Sequence, residues 1–401
     1  MPHRHRGRYI RCLLPKYSNP MNTSSPAQLS GAAPKLLGLE LLRFVAAMAV
    51  IVFHFHTFSY VGDVLPNGFI WTDQPFYSGL AWFYDFGRFG VQVFWGISGY
   101  IFFWKYGEKI ASKSVGGWAF FVLRFSRLYP LHVATLVLVA LLQALYFGQT
   151  GHYLQYQHND AKHFVVHLFM ASGWSVWSYA SFNGPIWSVS VELLIYGMFF
   201  GLLRLVGSSL SVNIVVVAFG FACVALKVST FIFECMLFFY LGGLVATAQP
   251  RLERYKRLVT TVSLTVVALS CLGAALSTRL PLLPVPKAVF AVLVPAVLFL
   301  ATWHFSVPRS WERWIVMLGN MSYSSYLIHF PIQVAIAFGF AAAGRAIPVQ
   351  SGVFFVLFFA SVLIVAPLLY RWFELPCQTA IRRRLLGNAR PRAPELQPTV
   401  Y

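Results

Sequence analysis

The chain reads as an all-α, polytopic transmembrane helical bundle of about ten helices with no fused soluble domain. Three observations predict this. Hydrophobic residues fill 58% of the 401 positions and charged residues only 11%, against roughly 25% charged in soluble domains. Segment after segment approaches the ~20 apolar residues that a bilayer-spanning helix needs. The ~10-residue alternation of a membrane β-barrel, the other way to satisfy backbone groups in lipid, is absent. The net charge of +19 does not signal nucleic acid. Lys and Arg gather in short links between apolar segments, where positive-inside topology puts them. The five cysteines, Cys12, Cys223, Cys235, Cys271 and Cys377, have no metal-ligand spacing and imply no disulfide framework. No metal is expected.

In order, residues 1–35 are basic, then small, polar and Pro-containing, and are expected to form a disordered cytoplasmic tail. They hold no apolar core of signal-peptide type. A membrane domain follows over 36–380, then a basic cytoplasmic tail over 381–401. The first span covers 37–58. Residues 59–85 carry Asp63, Asp73 and Asp85 but no Lys or Arg, so they form an outer loop. The second span, 86–104, has Gly90, Gly96, Ser98 and Gly99 for close helix approach. The third runs over 118–147. The Trp- and Tyr-rich stretch 163–180 is short for a span and reads as an interfacial or re-entrant segment. Further spans fall at 186–206, 212–228, 231–248, 258–277, 287–304, 315–341 and 351–372, with Pro376 stopping the last. Arg382, Arg383 and Arg384 keep the C-terminus inside, and parity closes with ten spans if 163–180 does not cross.

The first span carries Glu40, Arg43, His54 and His56. At 100° per residue, Glu40, Arg43, Ala47 and His54 share one stripe, with Arg43 and His54 about 16 Å apart along the axis. Ionisable groups at membrane depth mark a functional path; a lipid-facing helix with snorkelling ends is the alternative. His56 reads as interfacial. His54 can exchange a proton near neutral pH, and Glu192, placed at similar depth on the fourth span, would make a general-base pair with it. Arg43, Arg124 and Arg127 sit at one depth, suited to a donor's phosphates; topology signalling alone is the alternative. Ser188, Glu192 and Tyr196 share a helix face, as do Ser322, Tyr326 and His329, with helix–helix hydrogen bonding the plainer reading for the hydroxyls. No serine-hydrolase elbow, P-loop, zinc pattern or dinucleotide fingerprint occurs.

Six motifs, in order, resemble those of the membrane-bound acyltransferase family 3, the bacterial glycan O-acyltransferases. Glu40-Leu41-Leu42-Arg43-Phe44-Val45-Ala46 through His54 resembles D-G-L-R-G-x-A…H. Phe94 to Tyr100, with Ser98, resembles F-F-x-x-S-G-F/Y. Arg124, Arg127, Tyr129 and Pro130 match R-x-x-R-x-Y-P. Trp187, Ser188 and Glu192 match W-S-L-x-x-E. Gly319, Ser322, Tyr323, Tyr326, Leu327 and His329 match G-x-x-S-Y-x-x-Y-L-x-H. Glu374 and Pro376 close the set as E-x-P. Glu40 stands for the usual Asp, Val189 for Leu, and Phe44 for a common Gly whose absence is expected to narrow the space beside Arg43.

The resemblance covers about 36–380. It implies a stand-alone enzyme of the bacterial inner membrane that moves an acyl group from cytoplasmic acyl-CoA, most often acetyl-CoA, to a sugar hydroxyl. The acceptor would be exopolysaccharide, lipopolysaccharide, a signalling oligosaccharide or a lipid-linked sugar. It implies no permanently bound cofactor. Arg43, Arg124 and Arg127 are expected to hold the donor. His54, oriented by Glu192, is expected to activate the hydroxyl or to relay the acyl group. Glu40, Ser98, Tyr129, Trp187, Ser188, Tyr196, Ser322, Tyr326 and His329 would support substrate or structure. A transporter or flippase of a glycan or lipid-linked intermediate is the rival from another class.

Overall fold

The computed structural model describes residues 36–174, 180–228, 230–279 and 287–387. The expected N-terminal tail and the expected C-terminal tail beyond residue 387 lie outside them. The described residues are helical, with a single isolated bridge, Val61 to Val64, and no strand. Among the described residues the ten longest helices are α1 (Leu37–Phe53), α3 (Gly90–Ala111), α4 (Gly117–Thr150), α6 (Trp187–Val206), α7 (Leu210–Ala225), α8 (Thr230–Leu252), α9 (Lys256–Arg279), α10 (Lys287–Trp303), α11 (Arg309–Ala342) and α12 (Gly352–Leu369). They correspond one to one with the expected spans. Three shorter helices, α2 (Tyr77–Phe86), α5 (Ala161–Leu168) and α13 (Leu375–Leu386), complete the set. Six stretches are long and apolar enough to cross a membrane by length and composition. The chain is an integral membrane protein built as an all-α bundle.

Direction alternates along the chain. α1 and α11 run parallel: near their starts Glu40 meets Gly319, and near their far ends the His54 carbonyl accepts from Gln333. At Gly319 the fit is absolute, because a Cβ there would lie 1.8 Å from Glu40 Oε2. α3 and α8 also run parallel and interlock through glycine: a Cβ on Gly99 would lie 1.7 Å from the Phe239 carbonyl oxygen. Small residues let membrane helices approach this closely. Ser209 and Ser351 cap α7 and α12 by accepting from Val212 and Phe354 backbone N–H groups, which otherwise have no intrahelical partner.

Three expectations change, those for the first helix, the outer loop and the end of the last helix. The first helix is not α-helical to residue 58: it tightens at His54 into a 3-10 segment, His54–Ser59. The outer loop 59–85 contains α2. α5 has 8 residues, about 12 Å of helix and too short to cross; part of the expected 163–180 segment lies outside the described residues. Pro376 does not stop the last helix. A π turn, Tyr370–Glu374, leads into α13, where Pro376 occupies the first turn. A missing N–H costs nothing there. α13 carries the chain to Leu386 against α4, with Arg382 Nε donating to Ser126 Oγ at 3.0 Å and Trp118 Nε1 to the Leu385 carbonyl at 3.2 Å. The expected tail from 381 therefore begins as packed helix.

Candidate active site

α1, α3, α4, α6 and α11 surround a cavity with about 100 Å³ open to the centre of a water-sized molecule. Phe94, Trp95 and Phe102 wall it, and Arg43, Arg124, Arg127, Glu192 and the hydroxyls of Ser98, Ser188, Tyr196, Ser322, Tyr323 and Tyr326 line it. The helical spacing read from α6 and α11 therefore does aim Ser188, Glu192, Tyr196, Ser322 and Tyr326 at one space.

Buried charge needs a partner, and each arginine has its own arrangement. Arg43 Nη1 lies 3.5 Å from Glu40 Oε2. Arg127 Nη1 pairs with Glu374 Oε1, and Glu374 Oε2 accepts from Ser324 Oγ at 2.6 Å. Arg124 Nη2 donates to Tyr106 Oη at 2.9 Å, and its guanidinium lies 4.7 Å from the centre of the Phe102 ring. Glu192 accepts from Tyr196 Oη at 2.6 Å and faces the Ser98 hydroxyl. Three arginines thus stand among three carboxylates, Glu40, Glu192 and Glu374, so the ionised cluster is formally neutral. Three guanidinium nitrogens, Arg43 Nη1, Arg124 Nε and Arg127 Nη2, are buried without a hydrogen-bond partner. Such groups are rare in folded proteins and call for a ligand, ion or water.

Tyr326 joins this cavity to a second group of side chains. Its hydroxyl lies 2.8 Å from Ser188 Oγ and donates to the Pro185 carbonyl at 2.9 Å. Its carbonyl bonds His329 Nδ1 at 2.7 Å. A carbonyl can only accept, so Nδ1 carries the proton and Nε2 the lone pair. His329 is fully buried and Nε2 has no hydrogen-bond partner. The His54 ring lies 5.4 Å from the His329 ring, centre to centre, and the His54 carbonyl accepts from Gln333 Nε2 at 2.8 Å. Pro331 holds this turn open: lacking N–H, it frees the Leu327 carbonyl four residues back, which accepts from Asn183 Nδ2 at 3.0 Å.

His54 does not line the arginine cavity, and Glu192 is not its partner. Ser188 and Tyr326 are level. α6 and α11 run in opposite directions, so Glu192 lies one turn from that level toward the arginines and His329 one turn the other way. That separates them by about 10 Å in depth. Among the remaining expected residues, Tyr129 stacks on Phe125 at 4.5 Å and lies outside the cavity lining. Trp187 meets the wall residue Trp95 edge-on at 5.9 Å. Ser322 donates to the Gly319 carbonyl of its own helix at 2.6 Å. His56 is buried in the protein, its Nδ1 bonded to the Phe53 carbonyl and its ring 5.1 Å from that of Trp71. Phe44 turns away from the cavity and packs on the cluster around Ile51 and Phe358, so it does not narrow the space beside Arg43.

Sequence reasoning used Glu374 only as part of a motif and gave it no site role. A carboxylate closing an apolar segment was the available signal; its partner 247 positions away was not. Gln333, Ser324 and Tyr106 were missed for the same reason.

At the histidine end, His167 of α5 is buried with its Nε2 hydrogen-bonded to Ser181 Oγ at 2.9 Å. Burial, with His132 and His163 nearby, holds its pKa down at about 3. Among the described residues no group of His, Cys, Asp and Glu is arranged to hold a metal.

No curated protein and no solved structure matches the chain. The family model described as an acyltransferase domain, Acyl_transf_3, matches residues 36–371. That match takes in the arginine cavity, Tyr326 and both histidines, and with it the chain belongs to the acyltransferase family 3 and is a membrane acyltransferase.

Proposed function

We propose that the protein transfers an acyl group, acetyl in the first instance, from acyl-CoA to a sugar hydroxyl of a cell-surface or secreted glycan. One observation carries this reading: an arginine-lined cavity inside the bundle that leads, through Tyr326, to the paired rings of His54 and His329. The donor enters from the end bearing Lys105 and Arg382, the cytoplasmic end of a bacterial inner membrane with both termini inside. Its phosphate and carbonyl oxygens take the unpartnered N–H groups of Arg43, Arg124 and Arg127, whose planar forks suit them.

His54 is the base, and His329, not Glu192, orients it. His329 Nε2 is unpartnered at rest; in the reacting state a His54 N–H turns to its lone pair, which leaves the other His54 nitrogen free to take the hydroxyl proton. As that proton moves to His54, the sugar oxygen attacks the thioester carbon. The C–O ester bond forms, the C–S bond breaks, and the CoA thiolate leaves with the proton returned by His54. In a relay variant His54 itself attacks and carries the acyl group to the sugar; an acyl-His54 adduct formed with donor alone would identify it.

The test uses membranes from cells expressing the chain, supplied with acyl-labelled acetyl-CoA. Label enters the glycan fraction with wild type and, at equal protein level, falls by ~10²–10⁴ with His54→Ala, the range for losing a general base. Equal labelling in both would remove His54 from the chemistry. Unlabelled glycan with wild type, beside intact export of the glycan, would favour a transporter.

A further inference from the structure

A second cavity, of about 550 Å³, opens at the histidine end, between the segment after His54 and the link from α11 to α12. We infer that it is the acceptor's binding site and that its occupant is a carbohydrate; the inference rests on the acyl-transfer reading above and assigns that reaction its second substrate pocket. The volume falls within the ~300–1,000 Å³ of small-molecule sites.

The lining has the two features a sugar needs. Tyr60, Phe69 and Tyr146 offer rings to the apolar faces of a pyranose, and Asp73, Gln74 and Gln350 offer polar groups to its hydroxyls. Gln74 is the informative member. It is only 7% exposed. Its Nε2 donates to the Trp71 carbonyl at 3.2 Å, while its Oε1 is buried with no hydrogen-bond partner. A buried acceptor left empty costs about 1–3 kcal/mol unless something donates to it; Gln74 lines the groove, and a turn of its side chain brings Oε1 to a sugar hydroxyl there. Asp73 and Arg345 both line the groove and cancel in charge, so nothing there concentrates phosphate. A lipid tail would use the rings and leave the acceptors empty.

The groove also lies on the histidine side of the bundle. The His56 ring is 6.4 Å from that of His54 and 5.7 Å from that of Tyr60. Trp71 lies 5.1 Å from His56 and 6.0 Å from Phe69. His54 itself does not line the groove; the His56 and Trp71 rings stand between it and the wall residues Tyr60 and Phe69, so a sugar held there lies about two rings from His54.

The test does not depend on turnover. Asn67, on the exposed rim, becomes Asn67→Cys in the full chain, reconstituted in phosphatidylethanolamine–phosphatidylglycerol nanodiscs. Its modification by a membrane-impermeant maleimide is timed with the wild-type chain as background. The water-soluble glycan fraction of the producing cells slows modification, and Gln74→Met combined with Asp73→Asn raises the half-protecting concentration by ~10-fold or more, the worth of about one hydrogen bond. The hydrolysis of acyl-CoA by the same protein stays unchanged. Asp73→Asn alone, at an exposed position, serves if the pair fails to fold and shifts protection in the same direction. Unslowed modification at saturating glycan overturns the assignment, as does a low rate set by the lipid alone and indifferent to glycan. Glycan protection without acyl transfer would keep the groove and refute the acyltransferase chemistry; transfer without protection would do the reverse.

Discussion

Arg127 is held by a carboxylate, that of Glu374, whereas His329 is held by a backbone carbonyl, that of Tyr326. The contrast extends to the whole of each region. Around Arg127 the polar groups are guanidinium and carboxyl side chains set close together, with Glu40 beside Arg43 and Glu192 bonded to Tyr196. Around His329 the groups are neutral and fixed by amides and carbonyls, with Gln333 on the His54 carbonyl and Asn183 on that of Leu327. Arginine keeps its proton inside proteins, and its planar fork positions an anionic ligand. A neutral imidazole with an open lone pair can gain and lose a proton. The first region is built to hold and the second to react.

The comparison is broken most severely at the Arg127–Glu374 pair. Glu374→Ala leaves a guanidinium buried and unpaired, and is expected to cost ~3–5 kcal/mol of unfolding free energy. Arg127→Met made together with it should cost less than the sum of the two single changes. Denaturant unfolding of the reconstituted protein reads both, and additivity within error would mean that the two side chains do not act as a pair. His329→Gln comes next. It keeps an amide near His54 but loses the ring lone pair, and it should lower kcat by ~10–10² with little change in the KM for donor, at the low end of general-base effects. A change confined to KM would place His329 in binding instead.

Gly319→Ala drives a methyl into the Glu40 carboxylate and should destabilise the protein by ~1–3 kcal/mol, as overpacking does. Glu40→Ser added to it should recover part of the loss; no recovery would point to strain elsewhere in α11. At the histidine end the lever is acid. His167, with its pKa held at about 3 by burial, binds fewer protons folded than unfolded between that value and the ordinary ~6.5. Stability is therefore full above pH ~6.5 and falls as pH drops toward 3. His167→Gln should flatten that slope, and an unchanged slope would assign it to another group. The smallest effect expected is that of Gln333→Leu, which removes one hydrogen bond to the His54 carbonyl, worth about 0.5–1.5 kcal/mol, and should appear as a modest fall in kcat at constant donor KM.

The sequence showed the helices clearly because membrane spans are continuous apolar runs whose length the bilayer fixes. It also showed contacts within one helix: Glu40 and Arg43 are one turn apart and do meet, and Ser188, Glu192 and Tyr196 do share the cavity. Contacts between helices depend on relative depth, which apolar runs define only to a turn or so. That is why Glu192 was placed level with His54 and lies about two turns from it. The tightening of α1 at His54 and the π turn before Glu374 were also hidden. Each lies where a residue distant in sequence, Gln333 or Arg127, meets the chain, and local propensity does not encode such contacts.

The central claim is the division between a region that holds the donor and one that transfers its acyl group. Steady-state transfer from labelled acetyl-CoA into extracted glycan, compared for Arg43→Met and His54→Ala, tests it most directly. The division predicts that Arg43→Met raises the KM for donor with kcat largely kept, and that His54→Ala loses kcat while donor binding persists. A loss of donor binding in His54→Ala, or a loss of kcat alone in Arg43→Met, would contradict it.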